Sequence, residues 1–173
     1  FDGADDFIEL GSINSSNPLS LAGQTEYSVD IWIKPDLEGD DYQRIIEKSS
    51  SGSSTNGWGI ALRPASKVVY MFINGGTVMN YTDSALTSTA WTNYTFTRKN
   101  TSTKLYKNGD LTHTYVYTKV TSTTTANMRI GSWNHSTGRE YNGKVGCIKV
   151  YNKQLSEAEV LKNYNALKTR YEL

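Results

Sequence analysis

A short segment beginning at Trp133 contains the side-chain types that proteins use to bind sugars. Its polar residues are Asn134, His135, Ser136, Arg139 and Glu140. Sugars are bound by an aromatic ring against the apolar side of the pyranose, together with polar side chains that hydrogen-bond the hydroxyls. The segment therefore predicts a ligand-binding loop, in which Trp133 is the ring and the polar residues that follow are the hydrogen-bonding groups.

Three further residues would join this loop if the fold brings them to the same end of a sheet. They are Trp58, Tyr81 and Asp83. Trp58 and Trp133 both stand at the ends of predicted strands, where a tryptophan that packs in the core is at least as common as one that stacks on a sugar. The sequence leaves both roles open for these two tryptophans.

The sequence contains no recognisable catalytic pattern. Glycoside hydrolases use two carboxyl groups about 5 to 10 Å apart. Glu26 and Asp30 lie on one predicted strand, about 13 Å apart at ~3.3 Å per residue, which is too far. His113 and His135 have no second ligand at metal-binding spacing, and no G-x-S-x-G sequence is present. We therefore expect a protein that is not an enzyme.

Composition argues against several classes of partner. The chain carries 18 basic and 17 acidic side chains, a formal net charge of +1, so we expect no nucleic-acid partner. No apolar run approaches the ~18 residues of a membrane span, so we expect no membrane partner. The single cysteine, Cys147, excludes an intrachain disulfide. Its apolar neighbours predict a buried, unreactive thiol.

Length and residue types predict one all-β domain covering residues 1–173. A chain of 173 residues is long enough for one core and too short for two ordinary domains. Its 12 Tyr, 4 Trp and 4 Phe, with many Thr, Ser, Asn and Gly, favour strands joined by polar turns. Because the chain begins at Phe1 rather than Met, we expect it to be the C-terminal part of a longer protein.

Alternating patterns and turn signals predict about eleven strands in two antiparallel sheets. The clearest strand covers residues 27–34, where apolar and polar positions alternate strictly. Asn108-Gly109 has the sequence of a tight hairpin turn. Trp32, within the clearest strand, and Trp91, at the start of a later one, are expected in the core.

Residues 141–173 join a strand to a helix. Ser156 and Glu159 have the spacing of a capping box, in which each side chain accepts a hydrogen bond from the other residue's backbone N–H. Leu155 and Val160 predict a hydrophobic staple across this cap. Apolar residues continue at helical spacing, so one face of the helix must pack on the sheets. We expect the strand to lie beside the first strand, with the helix on the edge of the sandwich.

Several segments along the whole chain carry a resemblance to a known family. They are FDGADDFIEL, YSVDIWIKPD, WTNYTFT followed by KLYKNGDL, MRIGSW, and the ending YNGKVGCIKVYNKQLSEAEVLKNYNALKTRY. Together they resemble the laminin-G-like, concanavalin A-like jelly-roll superfamily, and the ending is similar to that of modules at the C-termini of tailed-phage structural proteins. The resemblance implies a two-sheet antiparallel jelly-roll sandwich with a short C-terminal α-helix.

The resemblance also implies a function. We expect a non-catalytic recognition module of a phage or bacterial surface protein, located on the virion surface or outside the cell. Its partner would be a glycan, a surface protein or the rest of a virion or surface assembly, and the Thr/Tyr segment at residues 112–118 is a candidate exposed face for a protein partner. The alternative is a purely structural capsid or tail decoration domain that binds no sugar.

A structural calcium ion near the first strand is a further implication of the resemblance. The candidate ligands are Asp2, Asp5, Asp6, Asp40 and Asp41. Family members carry an acidic residue in the last strand, where this chain has Gly146 and Cys147. Calcium takes about six to eight oxygen ligands, several of them charged, so the missing carboxylate weakens the expected site. Short acidic residues also form turns without any ion, and we expect no cofactor.

Overall fold

The computed structural model describes residues 1–39, 41–50, 56–133 and 137–172. Its strands are β1 (Ile8–Ser12), β2 (Glu26–Pro35), β3 (Gln43–Ser49), β4 (Gly57–Arg63), β5 (Val68–Ile73), β6 (Gly76–Thr82), β7 (Thr92–Lys99), β8 (Ser102–Lys107), β9 (Asp110–Val116), β10 (Asn127–Ile130) and β11 (Gly143–Tyr151). A helix α1 (Glu157–Leu167) follows, and 3₁₀ turns occur at Pro18–Ser20 and Lys168–Tyr171. Among these residues no helix combines the length and apolar character needed to cross a bilayer.

Two antiparallel sheets face each other. The six-stranded sheet has the order β1-β10-β3-β4-β5-β6, and the five-stranded sheet has the order β11-β2-β7-β8-β9. The predicted all-β fold, a two-sheet antiparallel jelly-roll sandwich with a short C-terminal helix, is confirmed. The strand count within the described residues also agrees with the expected number.

The core between the sheets follows from the two-residue alternation of the strands. In β2, Val29, Ile31 and Ile33 have no exposed surface and belong to the main apolar cluster. Met71 of β5 reaches the same cluster from the opposite sheet. Burying such side chains contributes roughly 25 cal/mol for each Å² of apolar surface removed from water. The core therefore lies where the pattern of residues 27–34 places it.

The last strand pairs differently from the prediction. β11 is hydrogen-bonded to β2, whereas β1 pairs with β10 in the other sheet. The first residues of the chain reach the start of β11 through an isolated bridge between Asp2 and Asn142. The expectation that β11 lies beside β1 is therefore wrong. β2 has 10 residues and offers a much longer edge than β1, which has 5.

The C-terminal helix lies over the outer face of the five-stranded sheet and not on the sandwich edge. The predicted capping box of Ser156 and Glu159 is present. Leu155 and Val160 pack together with Tyr106 of β8. The face of the sheet offers this apolar side of the helix more area than an edge would, so the helix covers the face.

Two of the four tryptophans meet this C-terminal segment. Trp32 is wholly buried, as predicted, but outside the space between the sheets. Its ring stacks on Tyr164 at 5.6 Å and on Tyr171 at 4.4 Å between centroids. Trp91 lies 4.7 Å from Tyr171 and remains partly exposed, so its predicted place in the core is only partly right.

Candidate ligand-binding site

An open pocket lies on the outer face of the six-stranded sheet. Its volume is about 200 Å³. The aromatic and cationic side chains that line it are Tyr42, Arg44, Tyr70, Phe72, Trp133 and Arg139. Strands β3 and β5 supply the floor, and the loops on either side supply the walls.

Aromatic residues of β5 form the floor of the pocket. Tyr70 and Phe72 alternate with Met71, which points into the sandwich core, so their rings lie on the outer face. A Cβ at Gly59 of the neighbouring strand would lie 2.3 Å from the Phe72 ring, so the glycine leaves room for that ring. Tyr42 meets Tyr70 edge to face at 5.7 Å. These contacts fix the floor before any ligand binds.

Arg44 is a buried cation held among these rings. Its Nε lies 2.6 Å from Oε2 of Glu47, and its Nη1 donates to the Tyr70 hydroxyl at 2.6 Å. The guanidinium carbon is 4.6 Å from the centre of the Phe72 ring. Burial raises the pKa of Tyr70, and Arg44 acts in the opposite direction. The phenol therefore stays neutral at ordinary pH and keeps the guanidinium in place.

Trp133 and Arg139 form a wall above the floor. The Arg139 guanidinium carbon lies 4.0 Å from the Trp133 ring centre and 5.7 Å from that of Tyr42. Burial lowers the pKa of Arg139, and repulsion from Arg44 lowers it further. An arginine nevertheless remains charged at neutral pH. The structure thus brings two of the predicted site residues together, next to a second cation.

Backbone hydrogen bonds anchor the loop that carries Arg139. The Arg44 N–H donates to the Arg139 carbonyl at 2.9 Å. The Glu140 carboxylate accepts from the N–H groups of Gly138 at 2.7 Å and Arg139 at 2.8 Å. Glu140, which the sequence grouped with the ligand-binding residues, therefore holds the loop in shape. Asn134, His135 and Ser136 lie outside the described residues.

Trp58 does not belong to this pocket. It has no exposed surface, and its Nε1 donates to the Leu19 carbonyl at 3.0 Å. The alternation of β4 turns its ring into the core beneath the turn that contains Leu19. The prediction that Trp58 stacks on a sugar is therefore wrong, and its alternative role as a core tryptophan holds.

Asp83 and Tyr81 also lie away from the pocket. Asp83 is 2% exposed, and its carboxylate accepts from the Tyr94 hydroxyl and from Lys107 Nζ at 2.7 Å. A carboxylate with both oxygens engaged in this way stabilises the fold and does not serve a ligand. Tyr81 packs beside His113 of β9, with ring centres 5.7 Å apart. The predicted grouping of these two residues with Trp133 is wrong.

Sequence reasoning missed Tyr42, Arg44, Tyr70 and Phe72. One signal was available for the last two residues. The sequence of β5, VVYMFI, is apolar at every position, although a sheet with one solvent-facing side requires alternation. Such a strand indicates either a covered outer face or an apolar pocket. Tyr42 and Arg44 fall at the junction of a loop and a strand, where no periodicity applies.

Of the five candidate calcium ligands, Asp2, Asp5 and Asp6 meet, Asp41 is not part of this group, and Asp40 lies outside the described residues. One oxygen from each lies within 4.8 Å of the others, and all three residues are exposed. Calcium takes about six to eight oxygens, and two of the oxygens here already accept backbone N–H groups, from Ala4 at 2.9 Å and from Asp2 at 3.2 Å. These residues fit calcium in ligand type and fall short in number.

Gly146 has a structural reason of its own. A Cβ at this position would lie 2.4 Å from the Tyr171 hydroxyl. The pairing of β11 with β2 shifts register between Val145 and Ile148, around Gly146 and Cys147. The glycine therefore admits the C-terminal turn, and a side chain here would face Tyr171. Cys147 is partly exposed, so the predicted burial of its thiol is only partly right.

The fold and the pocket together define a lectin-like jelly-roll domain. The family model described as the concanavalin A-like lectin/glucanases superfamily, a laminin-G group, matches residues 2–161. The chain belongs to this superfamily, which confirms the family resemblance. The comparison with curated proteins found no match.

Several solved structures share this fold, among them carbohydrate-binding and receptor-binding domains. The CBM40 of the Ruminococcus gnavus IT-sialidase, bound to α2,3-sialyllactose, has a TM-score of 0.65 and 16% identity over 92% of this chain and 97% of its own. Domain 4 of AbnA, an arabinanase from Geobacillus stearothermophilus in complex with arabinotriose, has a TM-score of 0.64 and 18% identity over 94% and 73%. At these identities the similarity establishes the fold alone.

A third neighbour shows that the same fold occurs inside larger proteins. The binding domain of botulinum neurotoxin serotype D has a TM-score of 0.65 and 17% identity over 92% of this chain. This chain spans 42% of that domain's length. It spans 35% of a further receptor binding domain, at a TM-score of 0.61 and 15% identity.

Proposed function

We propose that the chain is a non-catalytic carbohydrate-recognition module that binds a glycan in the pocket between Trp133, Arg139 and the rings of β5. In this proposal the module belongs to a phage or bacterial surface protein and acts on the virion surface or outside the cell. Its fold supports this assignment, because structural neighbours hold sialyllactose and arabinotriose.

The observation that carries the proposal is the composition of the pocket. Aromatic rings and guanidinium groups are held by one another and by backbone hydrogen bonds, around an open volume of about 200 Å³. Sugar sites combine aromatic faces with a small number of fixed polar groups. Groups that are fixed before binding lose little side-chain freedom when a ligand arrives. The pocket therefore has both the chemistry and the rigidity that glycan recognition needs.

The residues that line the pocket favour glycan recognition over glycoside hydrolysis. Glycoside hydrolysis needs two carboxyl groups about 5 to 10 Å apart on either side of the scissile bond. Among the described residues that line the pocket there is no Asp or Glu. Glu47, the acidic residue of β3, is paired with Arg44. The release of reducing ends from any polysaccharide would contradict this part of the proposal.

A glycan array tests the proposal. The chain should bind at least one class of bacterial or host glycan, and Trp133→Ala should abolish that binding while the domain stays folded. Trp91→Ala is the matched control, since Trp91 is also partly exposed but lies beside Tyr171. No binding across the array, with and without calcium, would overturn the function. Full binding by a folded Trp133→Ala variant would remove the site.

The edge strand β1 favours the alternative, a structural capsid or tail decoration domain. Phe7, Ile8 and Leu10 are 46%, 52% and 44% exposed. Apolar side chains on an open sheet edge are suited to pairing with another protein. If this alternative holds, Ile8→Lys should prevent incorporation into the parent assembly, and the glycan array should show no binding.

A further inference from the structure

The pocket contains more positive charge than the recognition of a neutral sugar requires. Arg44 and Arg139 line it. Arg63 stands behind its wall, with the guanidinium carbon 4.0 Å from the Tyr42 ring centre. The Tyr42 ring therefore contacts both Arg63 and Arg139. Two guanidinium groups thus line the opening, and a third lies next to its wall on the Tyr42 ring.

Nearby carboxylates neutralise this charge only in part. Glu47 forms an ion pair with Arg44. Glu140 uses one carboxylate oxygen to accept two backbone N–H groups of its own loop. Within the part of the chain that the structure describes, neither Arg63 nor Arg139 has a carboxylate at ion-pair distance. The pocket is thus left with a net positive charge.

The position of Arg139 makes its N–H groups available to a planar anion. Its guanidinium lies over Trp133 at 4.0 Å. In a stacked guanidinium the ring contacts the flat face, while the N–H groups point outward in the plane. Two parallel N–H groups match the two oxygens of a carboxylate. The contact with Trp133 therefore orients the paired N–H groups of Arg139 and also holds its positive charge at the pocket.

The clustering of arginines carries a cost that an anionic ligand would relieve. Burial and repulsion from Arg44 lower the pKa of Arg139, and Tyr70 and Glu47 offset this effect only in part. A neutral sugar would leave the repulsion unchanged, because its hydroxyls carry no charge. A ligand carboxylate placed between the two cations would offset it. The charge arrangement thus favours an acidic ligand over a neutral one.

We propose that this pocket selects a carboxylated saccharide, whose carboxylate is bound by Arg139 and whose ring packs against Trp133 and Tyr42. The inference rests on the proposed carbohydrate-binding function and names its substrate class. Sialylated and uronate-containing glycans share the required chemistry and are two sources of it.

A paired glycan array tests this specificity separately from the function. It carries sialylated, uronate-containing and neutral glycans, together with a methyl ester of each acidic glycan that removes the charge and keeps the shape. The acidic glycans should bind, and their esters should bind at least tenfold more weakly. Equal binding of acid and ester, or binding of neutral glycans alone, would overturn the inference and leave the module a lectin. No binding to any glycan would overturn the proposed function itself.

Variants of Arg139 connect the specificity to the pocket. Arg139→Gln should lower the affinity for the acidic glycan by roughly ten- to a hundredfold, the range expected for a charge-assisted hydrogen bond. Arg139→Lys keeps the positive charge but loses the paired N–H groups of the guanidinium. Its affinity should therefore fall between that of the unmodified chain and that of Arg139→Gln. Arg170→Gln removes the same charge from an exposed position in the C-terminal turn and is the control.

Two further readouts separate charge recognition from damage to the fold. Thermal unfolding of each variant shows whether the domain is intact, and Arg139→Lys serves as the test variant if Arg139→Gln does not fold. Binding of the acidic glycan by the unmodified chain should weaken as salt is raised, because salt screens charges. Affinity unchanged by salt and by either Arg139 substitution would overturn the inference.

Discussion

The outer faces of the two sheets both carry aromatic residues, but only one of them is closed by the chain itself. On the five-stranded sheet, Trp32 is covered by Tyr164 and Tyr171 of the C-terminal segment, and it has no exposed surface. On the six-stranded sheet, the rings of Tyr70 and Phe72 lie under an open pocket. The same type of side chain therefore completes the fold on one face and lines an open pocket on the other, where Tyr70 and Phe72 are themselves largely buried.

The difference between the faces lies in what surrounds the rings. On the covered face, Trp32 stacks on Tyr164 and Tyr171, and the Lys168 ammonium lies 5.8 Å from the centre of the Tyr164 ring. The open face interleaves its rings with Arg44 and Arg139. Covering these guanidinium groups with a second apolar surface of the same chain would cost the free energy of their desolvation. Aromatic residues with arginines between them are thus suited to an external polar partner.

The largest effect on stability is expected on the covered face. Trp32→Ala removes a fully buried ring that stacks at 4.4 Å on Tyr171, and should lower the free energy of unfolding by about 3–5 kcal/mol. Trp133→Ala should cost clearly less, since Trp133 is only partly buried. Urea titration of both variants makes the comparison. Equal losses would mean that the two faces do not differ as described.

A smaller loss is expected where the C-terminal turn meets β11. Gly146→Ala places a Cβ 2.4 Å from the Tyr171 hydroxyl, so the turn must shift, at a cost of about 1–3 kcal/mol. Urea titration should show the same substitution costing much less in a Tyr171→Ala background, because the obstructing ring is gone. Additive effects of the two substitutions would contradict this contact.

The helix that closes the face depends on its first turn. Ser156→Ala removes the hydroxyl that accepts from the Glu159 N–H and should cost about 1 kcal/mol. The exposed Ser84→Ala is a control that touches no helix cap, and thermal unfolding measures both variants. A Ser156→Ala variant as stable as the control would show that the cap does not hold the helix in place.

The smallest effect is a dependence on pH at the same cap. Hydrogen bonds from Lys153 and Ser156 lower the pKa of Glu159 from 4.5 to about 2. A carboxyl with a depressed folded pKa stabilises the fold above its unfolded value and loses that contribution as pH falls through the folded value. Unfolding midpoints should therefore drop between pH 4.5 and 2, and less steeply in Glu159→Gln. Identical slopes would show that the side chain contributes nothing in this range.

Features set by local sequence could be predicted, whereas features that depend on pairing could not. Ser156 and Glu159 stand three residues apart, and β2 alternates along its own length, so both were read correctly from the sequence. The partner of β11 depends on the relative lengths of β1 and β2 edges, which no local pattern reveals.

The candidate site shows the same limit. Trp133 and Arg139 are six residues apart, and their shared loop made them recognisable together. Arg44 and Phe72 reach the pocket from different strands. Trp58 lies on the inward face of β4 and therefore points away from the pocket. Sequence alone cannot say which face of a strand a terminal tryptophan takes when both faces are buried.

The central claim is that the open face of the six-stranded sheet, and not the covered face, receives a glycan. Amide chemical shifts recorded during titration with the strongest-binding glycan of the array test it most directly. The shifts should be confined to β3, β5, Tyr42, Trp133 and residues 137–139 around Arg139. Shifts concentrated in α1 and around Trp32, or along the β1 edge, would contradict the account.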